Sequence, residues 1–274
     1  MNLSPPARPA ARPWENRARM EYRTLRHIVR SARQGYADFV RQGLESALRI
    51  PVLLVADLSR RDRHECNICG WSGRTFYPNT GPGYHEMEVA CPGCSSQDRH
   101  RSLLALMLAE TDLFTGGRRV VEVAPMRGFE RLMRMQDGID YVSFDLERHA
   151  MERGDITDMH YETDSVDYFV CFHVLEHIPD ADTALKEILR ILKPGGQAIV
   201  QVPVDWDLRT TREYAAPDPR DVGHVRQYGK DFTVKLSDAG FDVRGISVSE
   251  RFEEAVIDRF GLSPEPIFFL TKPH

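Results

Sequence analysis

Short apolar runs alternate with helical stretches in the sequence that follows Arg118, and this alternation limits the possible folds more than any other feature. The runs that we assign to strands lie at 119–124, 141–145, 152–156, 166–172, 197–203, 241–248 and 266–271. Helical spacing of apolar residues occurs at 127–136, 181–192 and 229–239. Strands that alternate with helices are typical of a parallel sheet with crossover connections. The sequence therefore predicts an α/β fold with a doubly wound, seven-stranded sheet.

Two local features refine this prediction. Residues 193–196 (KPGG) carry the basic, proline and glycine signals that end a helix. Segment 205–226 has little periodicity and many proline, aspartate and arginine residues, so we interpret it as an insertion over the carboxyl edge of the sheet. Ligands bind at that edge in folds of this kind. With this insertion, residues 101–274 are predicted to form the main domain.

Four of the five cysteines form two CxxC pairs, CNIC at 66–69 and CPGC at 91–94. Four thiolates at such spacing converge on a tetrahedral zinc ion, and a closed sulfur shell favours a structural role over a catalytic one. The sequence thus predicts a zinc-ribbon-like module over 64–100 with the ligands Cys66, Cys69, Cys91 and Cys94. Four unrelated cysteines are the alternative, and one of three nearby histidines (His64, His85, His100) can replace a sulfur. The fifth cysteine, Cys171, lies in an apolar run that predicts a buried side chain.

Residues 1–63 carry thirteen arginines and six acidic residues, a net charge of +7 within a chain of net charge −5. The remaining residues therefore carry −12, which argues against a nucleic-acid substrate gripped across the main domain. Residues 1–20 are interpreted as a flexible, solubilising leader, with a binding arm as the alternative. Helical spacing over 21–50, interrupted near Gly35, predicts one or two amphipathic helices that act as a lid or form a homodimer contact.

The sequence has no apolar run of about eighteen residues and no apolar core of a secretory signal near its beginning. These features predict a cytoplasmic protein with no membrane span.

A strand, a turn and a helix follow one another over 120–129 (VVEVAPMRGF), and a second strand ends in Asp145 about twenty residues later. A carboxylate at that place can hydrogen-bond both ribose hydroxyls of an adenosine-containing cofactor. An equally good interpretation from the spacing is that Asp145 caps the next helix.

The run FHVLEHIPD at 172–180, followed by LKEILRILKPGG at 185–196, resembles the class I S-adenosylmethionine-dependent methyltransferases. It is most similar to their branch of small-molecule and quinone enzymes, and the resemblance extends over about 118–245. The cysteine pairs that run into SSQDRHRSLL at 95–104 also resemble a bacterial group in which a zinc module precedes this domain. The resemblance implies a Rossmann-like seven-stranded methyltransferase sheet, S-adenosylmethionine as cofactor and structural Zn²⁺.

The resemblance also implies roles for the first loop. Glu122 would organise this loop and approach the amino group of the cofactor's methionine moiety. Ala124, Met126 and Gly128 would pass beneath the cofactor. The family's first two loop glycines are replaced here by Ala124 and Met126, and a Met126 side chain can either crowd the cofactor or point away.

Further cofactor contacts follow from the same resemblance. Asp145 would bind the ribose, and Leu146 beside it belongs to the implied cofactor-binding set. Asp155 and Ile156 would border the adenine, with the carboxylate reaching the exocyclic amine. Phe172 and His173, which follow the fourth strand, would lie beside the methionine and the sulfonium.

Methyl transfer is an in-line displacement, and a general base helps when the acceptor is a hydroxyl or an ammonium. Histidine titrates near neutrality, so the catalytic candidates are His173, His177 and His224. His224 is the preferred base or substrate contact, although it can also simply precede a helix. His177 is better explained as a structural partner in the LEH turn.

These observations predict methylation of an O or N atom of a small metabolite or natural-product intermediate. One alternative is an RNA methyltransferase whose zinc module and basic arm bind phosphate, although the Asn/Asp-Pro-Pro-Tyr type of signature is absent. The other alternative is a non-catalytic, zinc-stapled scaffold. Four arginines can bind an anionic substrate group or simply face solvent, and they are Arg209, Arg212, Arg220 and Arg226.

Overall fold

The computed structural model describes residues 3–11, 13–57, 63–81, 84–146 and 150–274. Within these residues the helices are α1 (Pro13–Arg33), α2 (Ala37–Asp57), α3 (Asp98–Glu110), α4 (Arg127–Met133), α5 (Ala181–Ile191), α6 (Phe232–Asp238) and α7 (Glu254–Phe260). The strands are β1 (His64–Glu65), β2 (Ser72–Gly73), β3 (Tyr77–Gly81), β4 (Tyr84–Ala90), β5 (Arg118–Val123), β6 (Ile139–Asp145), β7 (Glu152–Arg153), β8 (Val166–Phe172), β9 (Leu192–Gln201), β10 (Arg212–Asp218), β11 (His224–Gln227), β12 (Asp242–Ile246) and β13 (Ile267–Thr271).

Seven of these strands form one sheet in the order β12-β13-β9-β8-β5-β6-β7. The strands from β5 to β9 pair in parallel, whereas β13 runs antiparallel to both of its neighbours. The chain moves from β5 outward in one direction to β6 and β7, and then returns to place β8 on the other side of β5. This reversal creates a crevice between the carboxyl ends of β5 and β8, where ligands bind in open α/β sheets. The predicted α/β fold with a doubly wound seven-stranded sheet is confirmed.

Helices cover both faces of the sheet. On one face α5 and α6 bury residues such as Leu185, Ile188 and Leu236 against the sheet. The other face packs against α3, α4, α7 and the cysteine module, with Leu104 and Phe129 fully or almost fully buried. Apolar burial on two sides explains why the central strands read as continuous apolar runs rather than as alternating ones.

Two predicted boundaries differ from the structure. The strand predicted at 197–203 begins at Leu192, so the KPGG run at 193–196 lies inside β9 rather than in a separate turn. Gly195 accommodates the irregular register here with a φ of +76°. The segment 205–226, interpreted as irregular, contains most of the antiparallel hairpin β10–β11. Both faces of β10 are largely exposed, which explains why its sequence shows no apolar period.

The first residues that the structure describes pack against later parts of the chain. Leu3 is buried in the core cluster that includes the four cysteines. The backbone of Ala7 forms two hydrogen bonds with the side chain of Gln136. Helix α1 begins at Pro13. These contacts and the start of α1 lie within the segment 1–20, for which the flexible leader stays a prediction.

Two helices follow, and Gly35 with a φ of +75° lies between them as predicted. They leave several large apolar side chains exposed (Tyr22, Leu25, Val29, Leu44, Leu48, Val52 and Val55). Their role as a lid or a homodimer contact stays a prediction. No helix in the described part of the chain combines the length and apolarity that crossing a membrane requires.

Candidate active site and metal centre

The four clustered cysteines come together in the structure. Cys66 Sγ lies 3.8 Å from Cys94 Sγ, and Cys69 Sγ lies 3.7 Å from Cys91 Sγ. All four sulfurs lie within 4.8 Å of one another. Four sulfurs bound tetrahedrally at about 2.3 Å from a zinc ion would be about 3.8 Å apart. The four side chains therefore fit a tetrahedral zinc ion.

The hairpin β3–β4 separates the two cysteine pairs, and residues 82 and 83 between its strands lie outside the described residues. The three histidines considered as replacement ligands bond elsewhere. His64 Nδ1 lies 2.9 Å from the Asp258 carbonyl, His85 Nδ1 lies 2.9 Å from Thr80 Oγ1, and His100 Nδ1 accepts from the Gln97 N–H. The donor set is thus the four sulfurs that the spacing predicts.

Burial raises the pKa of the Cys91 thiol well above its ordinary value, and hydrogen bonds with the other three cysteines raise it further. At Cys66 burial also acts to raise the pKa, but hydrogen bonds with the other cysteines outweigh it and lower the pKa. Four buried sulfurs cannot all ionise without a compensating cation. A divalent ion bound between them would supply that charge, because zinc binds thiolates.

Arg101 ties the cysteine module to the rest of the protein although it is completely buried. Its Nε donates to the Phe260 carbonyl at 2.6 Å, and its Nη2 donates to the Gly261 carbonyl at 2.8 Å. Its Nη1 donates to the carbonyls of Val89 and Ser96. The guanidinium thereby joins α3, the cysteine module and the end of α7. Burial lowers its pKa, while the nearby cysteines act in the opposite direction by favouring the charged form.

The second cysteine pair also packs against the loop after β5. A Cβ atom built on Gly128, in the first turn of α4, would lie 3.0 Å from the Cys94 carbonyl oxygen. Only glycine allows α4 to approach the cysteine pair this closely. The cysteine cluster and the predicted cofactor loop are therefore in direct contact.

The loop after β5 turns sharply at Ala124, one of the two positions where the family resemblance implies glycine. Ala124 has a φ of +51°, a left-handed conformation that normally favours glycine. Its N–H donates to the Phe144 carbonyl, which holds the loop beside the end of β6. The Met126 side chain turns back onto α4, where its sulfur accepts from the Gly128 N–H at 3.0 Å. Met126 thus caps α4.

The remaining predicted cofactor residues lie along the same edge of the sheet. Asp145 and Leu146 stand at the carboxyl end of β6, next to the loop after β5. The Asp155 carboxylate accepts two hydrogen bonds from Thr157 and so shapes the turn after β7. Ile156 is buried in the core beneath this turn. The structure brings these residues together, and their contacts with a cofactor stay predictions.

Glu122 lies inside the protein rather than at the open edge. It is almost completely buried, and the Tyr141 hydroxyl donates to its Oε2 at 2.5 Å. Burial raises the pKa of Glu122 to about 8, although the hydrogen bond from Tyr141 acts in the opposite direction. Glu122 is therefore largely protonated at neutral pH when no cofactor ammonium lies beside it.

This raised pKa gives an expected pH dependence. Between about pH 4.5 and pH 8 the folded protein keeps a proton on Glu122 that the unfolded chain has released. The contribution of Glu122 to stability is therefore fully present below pH 4.5 and falls by up to about 1.4 kcal/mol per pH unit as the pH rises towards 8. Glu122→Gln should remove this slope. Urea denaturation of both proteins at pH 5.5, 6.5 and 7.5 measures the difference.

The exposed Glu162 provides the control for this experiment, since Glu162→Gln should keep the wild-type slope. Equal pH dependence in wild type and Glu122→Gln would show that Glu122 is already ionised in the folded protein.

Buried polar atoms without hydrogen-bond partners gather at the carboxyl ends of β8 and β9. Among the described residues they are His173 Nε2, both carboxylate oxygens of Glu176, and Gln201 Oε1. His173 itself has a φ of +54°, so the chain turns sharply after β8. Unpaired buried polar atoms are rare in folded proteins and mark ligand sites when they cluster. Sequence reasoning did not single out Glu176 or Gln201.

The three predicted catalytic histidines meet at this place. His173 Nδ1 lies 3.2 Å from Glu176 Oε1, and His224 Nε2 lies 4.0 Å from the same oxygen. The His177 and His224 rings pack edge to face with centroids 4.8 Å apart. His224 lies at the start of strand β11. The hairpin β10–β11, in the segment predicted to be an irregular insertion, therefore positions this side chain beside Glu176 and His177.

Arg226 fixes the hairpin to the turn that carries His177. Its guanidinium donates to the carbonyls of Leu175, Ile178 and Pro179 and pairs with Glu213. Arg226 is buried and its guanidinium is bonded within the protein, so it neither faces solvent nor is free to bind an anionic substrate group, which were the two roles considered from the sequence. Arg209 and Arg212 are exposed, and Arg220 pairs with Asp38 of α2.

Residues 96–245, which are more than half of the chain, match the methyltransferase domain family, and the chain belongs to this family. An uncharacterized methyltransferase of Mycobacterium sp. (strain KMS) is 27% identical over 124 residues, which cover 41% of this chain and 49% of the relative. A chloroplastic 2-methyl-6-phytyl-1,4-hydroquinone methyltransferase of Oryza sativa subsp. japonica is 29% identical over 124 residues, 39% of this chain and 38% of that protein. The chain thus spans half or less of the length of these relatives.

Solved structures with a similar fold include the YcgJ protein of Bacillus subtilis, with a TM-score of 0.40 and 16% identity. That comparison covers 64% of this chain and 100% of the other. The phosphoethanolamine N-methyltransferase 2 of Haemonchus contortus, solved in complex with S-adenosyl-L-methionine, has a TM-score of 0.41 and 16% identity, over 64% of this chain and 53% of the other.

Proposed function

We propose that the protein is an S-adenosylmethionine-dependent methyltransferase that acts on an O or N atom of a small metabolite or natural-product intermediate. The observation that carries this proposal is the crevice at the reversal of strand order. The left-handed loop at Ala124, the carboxylate of Asp145 and the unpartnered Nε2 of His173 lie along the same edge there. Membership of the methyltransferase domain family supports S-adenosylmethionine as the methyl donor.

Different residues at this edge would position the cofactor and the methyl acceptor. Asp145 would accept hydrogen bonds from the ribose hydroxyls, and the loop from Ala124 to Gly128 would support the methionine moiety. When bound, the cofactor supplies an electrophilic methyl group on a sulfonium. We place the acceptor and this methyl group beside His173, whose Nε2 has no hydrogen-bond partner among the described residues and would take a proton from the acceptor. His224 and His177 are the other candidates for this base.

Several observations favour a small acceptor. The hairpin β10–β11 packs against the LEH turn at residues 175–177, beside the crevice, and restricts access to it. Residues 64–274 carry a net charge of −12, which disfavours a polyanionic substrate. The similar rice protein is named for a hydroquinone substrate, which is a small phenolic molecule.

The four cysteines are proposed to hold a structural zinc ion. Cys66, Cys69, Cys91 and Cys94 would fill its coordination shell, so no position is left for water or substrate. The ion would support the catalytic part through the contact between Cys94 and Gly128.

Calorimetric titration with S-adenosylmethionine and S-adenosylhomocysteine tests the proposed activity at its first step. Wild type should bind both ligands. Asp145→Ala should raise the dissociation constant about 100-fold, because two hydrogen bonds to a carboxylate are worth about 1.5–3 kcal/mol each. Asp140→Ala is the matched control, since Asp140 is an exposed carboxylate at the opposite end of the same strand.

If Asp140→Ala still binds S-adenosylmethionine and Asp145→Ala does not, the cofactor binds at this edge. A screen of small phenols and amines as acceptors would then be justified. A folded, zinc-loaded protein that binds neither ligand would overturn the proposed activity and favour a scaffold. Retention of RNA that disappears with salt would instead favour an RNA substrate.

A further inference from the structure

Glu176, His177 and His224 form a second cluster of potential metal ligands, separate from the four cysteines. One ligand atom from each of the three residues lies within 4.8 Å of the others. His177 and Glu176 belong to the turn after β8, and His224 reaches them from β11. Two distant parts of the sequence therefore converge on one small volume at the carboxyl edge of the sheet.

The carboxylate of Glu176 is not satisfied by the protein. Its side chain is 1% exposed, and neither of its oxygens has a hydrogen-bond partner among the described residues. His173 and His224 approach Oε1 at 3.2 and 4.0 Å, but neither contact has the alignment of a hydrogen bond. A buried carboxylate without hydrogen bonds is strongly unfavourable unless a cation compensates its charge.

Both histidines are oriented in the way that metal-binding histidines usually are. Asp221 Oδ1 lies 3.2 Å from His224 Nδ1, which places the proton on Nδ1 and leaves the Nε2 lone pair towards Glu176. The Gly223 carbonyl accepts a hydrogen bond from the His177 imidazole. Such outer partners fix the ring and its tautomer in metal sites.

We propose that Glu176, His177 and His224 bind a divalent first-row transition-metal ion at the mouth of the active site. Two imidazoles and one carboxylate suit Zn²⁺, Fe²⁺ or Ni²⁺, whereas Mg²⁺ prefers oxygen ligands and water. Three protein ligands leave at least one coordination position open, in contrast to the closed shell of four cysteines.

The role of this ion rests on the proposed methyltransferase function. An acceptor hydroxyl bound at the open position would lose its proton more readily, because the ion stabilises the oxyanion. The oxyanion lone pair would then form the new C–O bond as the C–S bond of the sulfonium breaks, which leaves a neutral thioether. Coordination removes His177 and His224 from proton transfer, so His173 would receive the acceptor's proton.

Metal stoichiometry of the full-length protein tests the site without any substrate. The protein is equilibrated with a small excess of Zn²⁺, desalted and measured by plasma mass spectrometry together with its concentration. Wild type should carry two zinc ions per chain, and Glu176→Gln and His224→Gln should carry one. Calorimetric titration of Co²⁺ into the one-zinc form should show a site whose dissociation constant rises at least 100-fold in either variant.

His160→Gln is the matched control. His160 Nε2 lies 3.2 Å from Glu152 Oε2, but no third potential ligand joins this exposed pair among the residues that the structure describes, so its loss should leave two ions per chain. A wild-type protein that carries one zinc and does not bind Co²⁺ would overturn the proposal, and this result does not depend on whether any variant folds. Retention of two ions by both site variants would also overturn it. If the wild type carries one zinc ion and binds S-adenosylmethionine, the second metal site is refuted and the methyltransferase proposal stands. If it carries two zinc ions and does not bind S-adenosylmethionine, the second metal site stands and the methyltransferase proposal is refuted.

Discussion

Removal of the zinc ion should unfold the cysteine module and destabilise the whole protein. Structural zinc sites contribute on the order of 10 kcal/mol to folding at neutral pH, and the apo site would leave four sulfurs buried at about 4 Å from one another. We expect Cys91→Ser to lose the tightly bound zinc and to lower the free energy of unfolding by at least about 5 kcal/mol. Zinc content and urea denaturation on the same samples measure both effects. S-adenosylmethionine binding should weaken as well, because Cys94 packs against Gly128 in the cofactor loop.

Cys171→Ala is the control for this substitution. Cys171 is equally buried, but it lies in β8 among apolar side chains, as its sequence context predicts, and outside the zinc cluster. The variant should keep its zinc and lose about 1 kcal/mol, which is the effect of a small cavity. A zinc-free Cys91→Ser protein with wild-type stability would refute a structural role for the metal.

Replacement of Arg101 should give the second large loss of stability. Arg101→Met removes N–H donors from four carbonyl groups, of which that of Ser96 keeps the Cys91 N–H as a donor, and it removes the positive charge beside the cysteines. Breaking a buried ionic contact of this kind lowers stability by about 3–5 kcal/mol. Urea denaturation of zinc-loaded protein measures the loss.

Two further variants separate charge from geometry. Arg101→Lys keeps the charge, but a single ammonium cannot reach the carbonyls of Phe260 and Val89 together, so most of the loss should remain. Arg259→Met removes an exposed arginine that pairs with Glu65, and it should change stability by less than about 1 kcal/mol. Full recovery by lysine would show that charge alone matters at this position.

The sequence was sufficient to predict the sheet because each central strand is buried on both faces and therefore appears as a continuous apolar run. The cysteine cluster was equally predictable, since metal-ligand spacing is a local property of the chain. Positions implied by the family resemblance, such as Asp145 and the loop at Ala124, lie on one edge because parallel strands place their carboxyl ends together.

What the sequence did not reveal depends on contacts between distant residues. In the sequence, Glu176 cannot be distinguished from an exposed glutamate. Its burial depends on β11, which Arg226 holds against the turn at residues 175–177. The strand β10 has no apolar period because its side chains are mostly exposed. Leu3 lies in a segment whose composition indicates disorder, yet a surface formed by later residues buries it.

The hydrogen-bond acceptors of Arg101 lie far apart in the sequence, so they are synthesised at different times. Two of its four acceptor carbonyls, those of Val89 and Ser96, precede it by 12 and 5 residues, but the other two lie 159 and 160 residues further along the chain. A ribosome needs roughly ten to thirty seconds to add that many residues. Throughout this interval Arg101 of the nascent chain lacks two of its four acceptors. Quality-control factors that act during translation would therefore meet an incomplete cysteine module until Phe260 and Gly261 have emerged.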